Sequence, residues 1–304
     1  MSDLPGTAQV VIIGGGVMGA SSAYHLAQRG VKDIVLLEKQ SLYGMGATGK
    51  CAGGIRYHFS TEVNIRLSQQ SLPMLDRFAE EIGQEIDRRN IGYLFLLTRE
   101  ADVATFQETT ALQRRLGAKS EWLSSDEVRR RVPQLATADV LAGSLDPAGG
   151  VADPNSVVIG YIKAGRRLGV QGFTDTPVTA IEVGTPAGYR VITPAGAISC
   201  DIVVNATGPW AAPVSDMVGV PLPVTPVRQQ ILTTTPLPEL APDCPFVIDF
   251  GQSLYFHPEG DGLLTGMSNP NQAPGFDETV NEAWEMEHLD AAMTRLPLLE
   301  QAGL

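Results

Sequence analysis

The chain has 304 residues, 43% hydrophobic and 18% charged, with a formal net charge of −12. That length supports a sizeable core and two lobes, no run of ~18 apolar residues is present to span a bilayer, and so acidic a field does not suit nucleic acid or an anionic lipid surface. Three widely spaced cysteines, Cys51, Cys200 and Cys244, argue against a disulfide framework. Together with an N-terminus that lacks a basic segment followed by an apolar one, they lead us to expect a cytoplasmic protein.

Residues 10–13 form a short apolar run that reads as a buried parallel strand and feeds Gly14-Gly15-Gly16-Val17-Met18-Gly19, then a helical pattern. A second strand, residues 34–37, ends at Glu38. Strand, glycine turn, helix and terminal acid follow one another in the register of a dinucleotide-binding unit. Gly14 permits the tight turn, Gly16 lets backbone amides approach a pyrophosphate, and Gly19 lets the helix lie close on the strand. The helix N-terminus offers free N–H groups to phosphates, and Glu38 can accept hydrogen bonds from a ribose diol.

Residues 41–59 carry five glycines, at 44, 46, 49, 53 and 54, among small residues. A solvated surface loop is the ordinary reading, but Ile55, Tyr57 and Phe59 are not needed in one. The segment is therefore read as backbone held close to a ligand or another element. An amphipathic helical pattern over 62–81 is expected to break at Pro73. Residues 91–98 read as a strand of a second sheet and 100–116 as a polar helix. Ser124 begins a helix that Pro133 ends, and Asp153-Pro154 begins another that runs to Leu168. Strands are expected over 178–183 and 189–192, at Ile198 and over 202–205, with turns at 185–188 and 194–196. The run Asn205-Ala206-Thr207-Gly208-Pro209-Trp210 ends an apolar strand at small residues, a second place where backbone can meet a dinucleotide. Further strands are expected over 227–233, 246–250, 254–257 and 263–267, and a last helix over 282–295.

Glu38-Lys39, followed by Gly46-Ala47-Thr48-Gly49-Lys50 and Gly53-Gly54-Ile55-Arg56, resembles the FAD-binding signature of the D-amino acid oxidase superfamily. The likeness is to the branch holding sarcosine oxidases, glycine oxidase, dimethylglycine dehydrogenase and related beta subunits. It runs from about Val10 to the last helix and implies an α/β fold with an α+β second lobe. A Rossmann-like FAD-binding domain would occupy 1–85 and 146–220, and a substrate domain built on a mostly antiparallel sheet 86–145 and 221–304. The cofactor contacts it implies are Gly14, Gly16, Val17, Met18, Gly19, Glu38, Lys39, Gly46, Ala47, Thr48, Gly53, Gly54, Val178, Ala206, Thr207, Gly208 and Trp210.

The resemblance also implies a reaction. An amino acid or N-methyl amino acid bearing a primary or secondary amine gives a hydride from its α-carbon to flavin N5, and the imine hydrolyses. The absence of a second G-x-G-x-x-G fits an organic substrate, rather than a nicotinamide, as the electron donor. Arg56 matches the carboxylate-binding arginine and Tyr255 a tyrosine lining the substrate pocket. His58 and His257 are considered as bases for the amine proton. None of the four histidines has metal-ligand spacing, so no metal is expected.

Departures refine this picture. Lys50 stands where relatives with tethered FAD carry a histidine, so non-covalent FAD is expected. Ala152 replaces a histidine that binds a second flavin. Leu264 replaces a lysine that promotes reaction with oxygen, which favours a quinone or a partner subunit as electron acceptor. Cys51 is more readily a small buried thiol than a flavin link. Relatives continue with a C-terminal segment that covers the flavin, so truncation at this end is expected. Alternative readings are a catalytically silent flavin-binding subunit or assembly protein, and an NAD-dependent dehydrogenase.

Overall fold

The computed structural model describes residues 4–185 and 188–303. The first three residues, the final leucine and the tip of the turn expected over 185–188 lie outside them. Among the described residues no helix is long and apolar enough to cross a membrane.

Period-2 alternation in the first strand, Thr7–Ile13, places Val10 and Ile12 in one core and Val11 and Ile13 in another. A strand buried on both faces belongs at the centre of a layered sheet. It pairs in parallel with Ile34–Leu37 on one side and Gly196–Asn205 on the other, and Ile34–Leu37 pairs in parallel with Gln171–Phe173. Antiparallel strands Gly188–Thr193 and Ala180–Thr185 complete six strands. Residues expected as separate strands near 198 and 202–205 thus form one continuous strand, because its first half pairs with the antiparallel hairpin and its second half with the parallel centre.

Helices Val17–Gln28 and Pro154–Arg167 cover one face of this sheet. Tyr161 meets Tyr24 and stands edge-on to Phe78 at 4.9 Å, and Gly160 leaves room for the Phe78 ring, which a Cβ there would meet at 2.5 Å. Asp153 caps the second helix through Asn155 and Ser156 N–H, with Pro154 in the first turn. Ser124 and Glu127 form a complete capping box at Ser125–Arg131. The expected break at Pro73 does not occur there. Helix Glu62–Asp76 carries the proline inside it, because a proline removes one N–H while its own carbonyl still accepts from Arg77 N at 3.2 Å; the break falls at Arg77.

The second sheet has seven strands in the spatial order Gln230–Thr233, Gly262–Met267, Leu254–Glu259, Phe246–Asp249, Tyr93–Leu97, Ala142–Asp146 and Glu121–Ser124. All its pairings are antiparallel except that of Phe246–Asp249 with Tyr93–Leu97. A two-strand ladder, Gly54–Ile55 against Gly150–Val151, lies outside both large sheets. Leu94, Leu96, Val247, Phe256 and Leu263 form the second core with Val128, Ala292 and Leu296.

Helix Glu282–Arg295 is fixed to that core by a buried ion cluster. Arg295, 4% exposed, donates from Nε to Asp249 Oδ2 at 2.9 Å and from both terminal nitrogens to Asp139 at 2.8 Å. Two carboxylates compensate one desolvated cation, and removing one leaves the balance broken. Asp249→Ala is expected to lower the unfolding free energy by about 3 kcal/mol. A drop in urea midpoint with unchanged flavin content checks this.

Candidate flavin site and aromatic wall

The three parallel strands around Thr7–Ile13 end together, and a cleft of about 630 Å³ opens at their carboxyl ends. Gly14, Gly16, Val17 and Met18 line it from the turn, Glu38 and Lys39 from the second strand, and Gly46, Ala47 and Thr48 from the glycine-rich segment. Val178 and Ala206, Thr207, Gly208 and Trp210 close the other side. These fourteen expected positions are brought together from five separate stretches of chain. The sequence reading missed Thr176, Pro177, Asn205 and Glu278, which also line the cleft. Asn205 had a local signal, an Asx turn at a strand end: its Oδ1 accepts from Thr207 N and Oγ1, and its Nδ2 donates to Ala211 O at 2.8 Å.

Local backbone geometry explains the residue choices. Gly14 has φ +107°, and a Cβ there would lie 2.4 Å from Ala206 O. Gly19 does not line the cleft; it lies behind the turn, where a Cβ would come within 1.8 Å of Gly14 O. Glu38 Oε2 accepts from Gly15 N at 2.7 Å and Oε1 from Gln40 N at 2.9 Å, so the carboxylate is fixed beside the turn. Thr48 Oγ1 accepts from Val17 N at 3.1 Å, drawing the glycine-rich segment to the helix start. That helix has no acidic residue in its first turn and no side-chain cap, which leaves its positive end for an anion. A cleft of this size, with free helix amides and a carboxylate at a strand end, fits a flavin dinucleotide.

One flank of the cleft involves the second lobe. Lys39 Nζ lies 3.1 Å from the centre of the Trp210 ring, and burial lowers its pKa. Trp210 stacks with Phe276 at 5.4 Å, and Lys50 pairs with Glu278 at 2.6 Å.

Gly53, Gly54, Arg56, His58 and Tyr255 do not line this cleft among the described residues. Gly53 has φ +63°, and a Cβ there would meet Ala152 O at 2.4 Å. Gly54 lies against Tyr93 and Phe246, which a Cβ would meet at 3.1 and 3.0 Å. Both shape an aromatic wall. Tyr93 stacks on Phe246 at 4.3 Å and 9°, and Phe246 stacks with Tyr255 at 5.8 Å and His257 at 4.8 Å. Gly266 has no Cβ to strike the Tyr255 ring, which would lie 2.2 Å away. Burial pushes the Tyr255 phenol up to about 12, so it stays protonated.

Arg56 stands at the end of this wall. Its Nη1 donates to Tyr93 Oη at 2.7 Å, and the rings of Tyr93, Phe59 and Phe95 surround the guanidinium. Two buried hydrogen bonds and one partly buried fix the residues that follow. Tyr57 N donates to Asp146 Oδ2 at 2.9 Å, His58 Nε2 shares a 3.0 Å hydrogen bond with Ser144 Oγ, and Gln113 Nε2 donates to Phe59 O at 3.2 Å. Burial pulls the His58 pKa down to about 3, so in this position it is a neutral hydrogen-bonding group that pins the segment. Lysine 50 is exposed and paired, Leu264 is buried, and Cys51 is exposed rather than buried as expected, since it follows Lys50 on the open glycine segment. Cys200 and Cys244 are buried, their thiols pushed up to about 11 and 12.

A sheet with a parallel centre, a glycine turn, a terminal acid and a cleft at the strand ends define a dinucleotide-binding fold. A family profile described as DAO, FAD dependent oxidoreductase, matches residues 9–303. The chain belongs to this family of FAD-dependent oxidoreductases, and its cofactor is FAD; the NAD-dependent reading is thereby set aside. It is 31% identical over 317 residues to mitochondrial dimethylglycine dehydrogenase of Rattus norvegicus, covering 98% of this chain and 37% of that one. Among solved structures it is similar to L-proline dehydrogenase from P. horikoshii, with TM-score 0.90 and 29% identity over 98% of this chain and 79% of that one. Glycine oxidase from Geobacillus kaustophilus follows the same fold with TM-score 0.86 and 26% identity, over 98% and 80% of the two chains. The chain spans about a third of the length of the curated relatives it matches.

Two expected outcomes follow from this geometry. Glu38→Ala removes the acceptor held beside Gly15 and is expected to lower FAD occupancy of the purified protein at least about tenfold, read from the ratio of flavin to protein absorbance. The second concerns pH. Burial holds His58 and His288 at about 3 and about 4, below the unfolded value near ~6.5. Below that value the unfolded chain binds protons that the folded chain refuses. Their contribution is therefore complete above about pH 6.5 and is lost as the pH falls, by up to ~1.4 kcal/mol per pH unit for each histidine. Urea midpoints at pH 7.5 and 5.5 should differ for the wild type, and the difference should shrink when both histidines are replaced by glutamine, His257 keeping a share because burial lowers its pKa as well; an unchanged difference would exclude His58 and His288 as its source.

Proposed function

We propose that this chain oxidises the amine of a small amino acid or N-methyl amino acid, of the sarcosine, glycine or proline kind, with non-covalently held FAD. When bound, FAD supplies the chemistry by accepting the hydride from the α-carbon, after which the imine hydrolyses in water. The fourteen cleft-lining positions, with Gly19, Gly53 and Gly54 shaping the backbone around them, are assigned to hold it. The names of the relatives, which oxidise dimethylglycine, proline or glycine, support this substrate class.

The observation that carries the reading is Arg56. It makes no ion pair among the described residues, although it is half-buried and surrounded by rings. A partly desolvated cation without an internal counterion is suited to an incoming carboxylate, which it can hold by two charge-assisted hydrogen bonds. Tyr255, on the same wall, gives the substrate an apolar flank with a protonated phenol at its edge. His58 acts by holding residues 57–59 and through them Arg56. The exposed Lys50–Glu278 pair supports a non-covalent cofactor, and the apolar Leu264 supports a quinone or a partner subunit, rather than oxygen, as electron acceptor. Two sheets with separate cores support lobes over 1–85 with 146–220 and 86–145 with 221–304. Free thiols at Cys51, Cys200 and Cys244 support a reducing compartment such as the cytoplasm.

Anaerobic addition of sarcosine, proline, glycine or D-alanine is expected to bleach the flavin band of the wild type. Arg56→Ala should keep its flavin but need at least about a hundredfold more substrate, as loss of about 3 kcal/mol of charged hydrogen bonding requires. A wild type that keeps its flavin and is bleached by none of the four would instead be a silent flavin-binding subunit. An Arg56→Ala variant that bleaches at wild-type concentrations would remove Arg56 from the site.

A further inference from the structure

Arg56 and Arg295 show two ways of holding a cation away from water. Arg295 is met by two carboxylates and is electrostatically spent. Arg56 has one hydrogen-bond acceptor among the described residues, the uncharged Tyr93 hydroxyl, and its Nε is buried without a partner. The rings of Tyr93, Phe59 and Phe95 lie 4.9, 5.5 and 5.6 Å from the guanidinium carbon. Ring quadrupoles stabilise a cation without neutralising it. The charge therefore stays available to an anion while its direction is set.

Tyr93 is equipped to set that direction. It is 2% exposed and its ring lies flat on Phe246. Gly54 leaves room for its edge, and a Cβ on Gly149 would lie 2.8 Å from its own Cβ, so the backbone encloses the ring from two sides. Its strand pairs with Phe246–Asp249 and Ala142–Asp146, and Asp146 of the latter also anchors Tyr57. The phenol oxygen is thus a fixed point, while an arginine side chain has several rotatable bonds whose freedom must be restrained if its fork is to meet a carboxylate in one geometry. Burial raises the pKa of this phenol, so it keeps its proton; while its oxygen accepts from Arg56, its O–H has no acceptor among the described residues.

We propose that Tyr93 is the positioning residue of the carboxylate anchor: by accepting from Arg56 Nη1 it fixes the guanidinium toward the substrate without cancelling its charge. The inference rests on the reading of Arg56 as that anchor. It adds a residue that makes no contact with the cleft and acts through another side chain.

Tyr93→Phe keeps the ring and its stack and removes only the acceptor. The probe is trifluoroacetate, a carboxylate without an amine, titrated into flavin-loaded protein and followed by 19F line broadening. The wild type is expected to bind it, Arg56→Ala to lose binding, and Tyr93→Phe to bind about tenfold more weakly, with melting temperature and flavin content unchanged. With whichever amino acid bleaches the flavin, Tyr93→Phe should raise the concentration for half-maximal reduction about tenfold and leave the limiting rate within about twofold, because an orienting bond to the anchor acts before and during reaction alike. Wild-type affinity for trifluoroacetate in Tyr93→Phe, with loss in Arg56→Ala, overturns the role of Tyr93 and leaves the anchor standing. A fall confined to the limiting rate overturns it too. Absence of trifluoroacetate binding to the wild type removes the anchor and this inference together, whereas binding without bleaching by any amino acid retains both and fails only the proposed oxidation.

Discussion

Close approach of bare backbone at the end of the first strand is the constraint on which the site depends. Gly14 lies against Ala206 O, and Gly19 lies against Gly14 O, at distances no side chain permits. Through those two contacts the first helix, the first strand and the long strand Gly196–Asn205 converge at one point. The cleft exists because they converge there. A methyl group at either glycine would push the helix from the strand and turn its free amides away from the mouth of the cleft.

Residues 57–59, between the two sheets in sequence, are held by buried polar groups. Asp146, fully buried, accepts from Tyr57, Ala148 and Gly149 N–H, and burial raises its pKa despite those bonds. Ser144 bridges His58 and Thr110, while Gln113 joins Ser120 to Phe59 O. These partners sit on the strand Ala142–Asp146 and the helix Glu100–Arg115, and they fasten a segment whose own sequence is loop-like. Apart from Asp146, the side chains that hold His58 and Phe59 are uncharged, so they fix geometry without adding a field of their own. The charged solution is kept for Arg295, far along the chain, where stability rather than binding is served.

Much of the fold was legible where its signals are local. Glycines at fixed offsets, an acid at a strand end, Asp153-Pro154 and the Ser124 capping box each act within a few residues, and each produced the element it announces. The glycine-rich segment was legible as backbone held close to something, but not as to what. Gly46 lines the cleft, whereas Gly53 and Gly54 make room for Ala152, Tyr93 and Phe246. Tyr93 itself read only as one apolar position of a strand, since its meaning arises from Arg56, 37 residues away. Glu278 was invisible for the same reason, as it reaches the cleft from 228 residues beyond Lys50. Pro73 misled because a helix can carry a proline when only one of its hydrogen bonds is lost.

The segment 276–279 meets the first sheet's side of the cleft through contacts of unequal strength. The Lys50–Glu278 pair is more than half exposed on both sides and contributes at most about 1 kcal/mol. Trp210 and Phe276 bury aromatic area against each other, and Arg228 holds the Phe276 segment through Asp277, Thr279 and Gln272. A ligand that binds the folded arrangement and not the unfolded one stabilises it in proportion to its own affinity. Because Trp210 and Glu278 both line the cleft, a ligand bound there touches both sides of this junction at once, and its binding is worth more to the fold than the exposed ion pair alone.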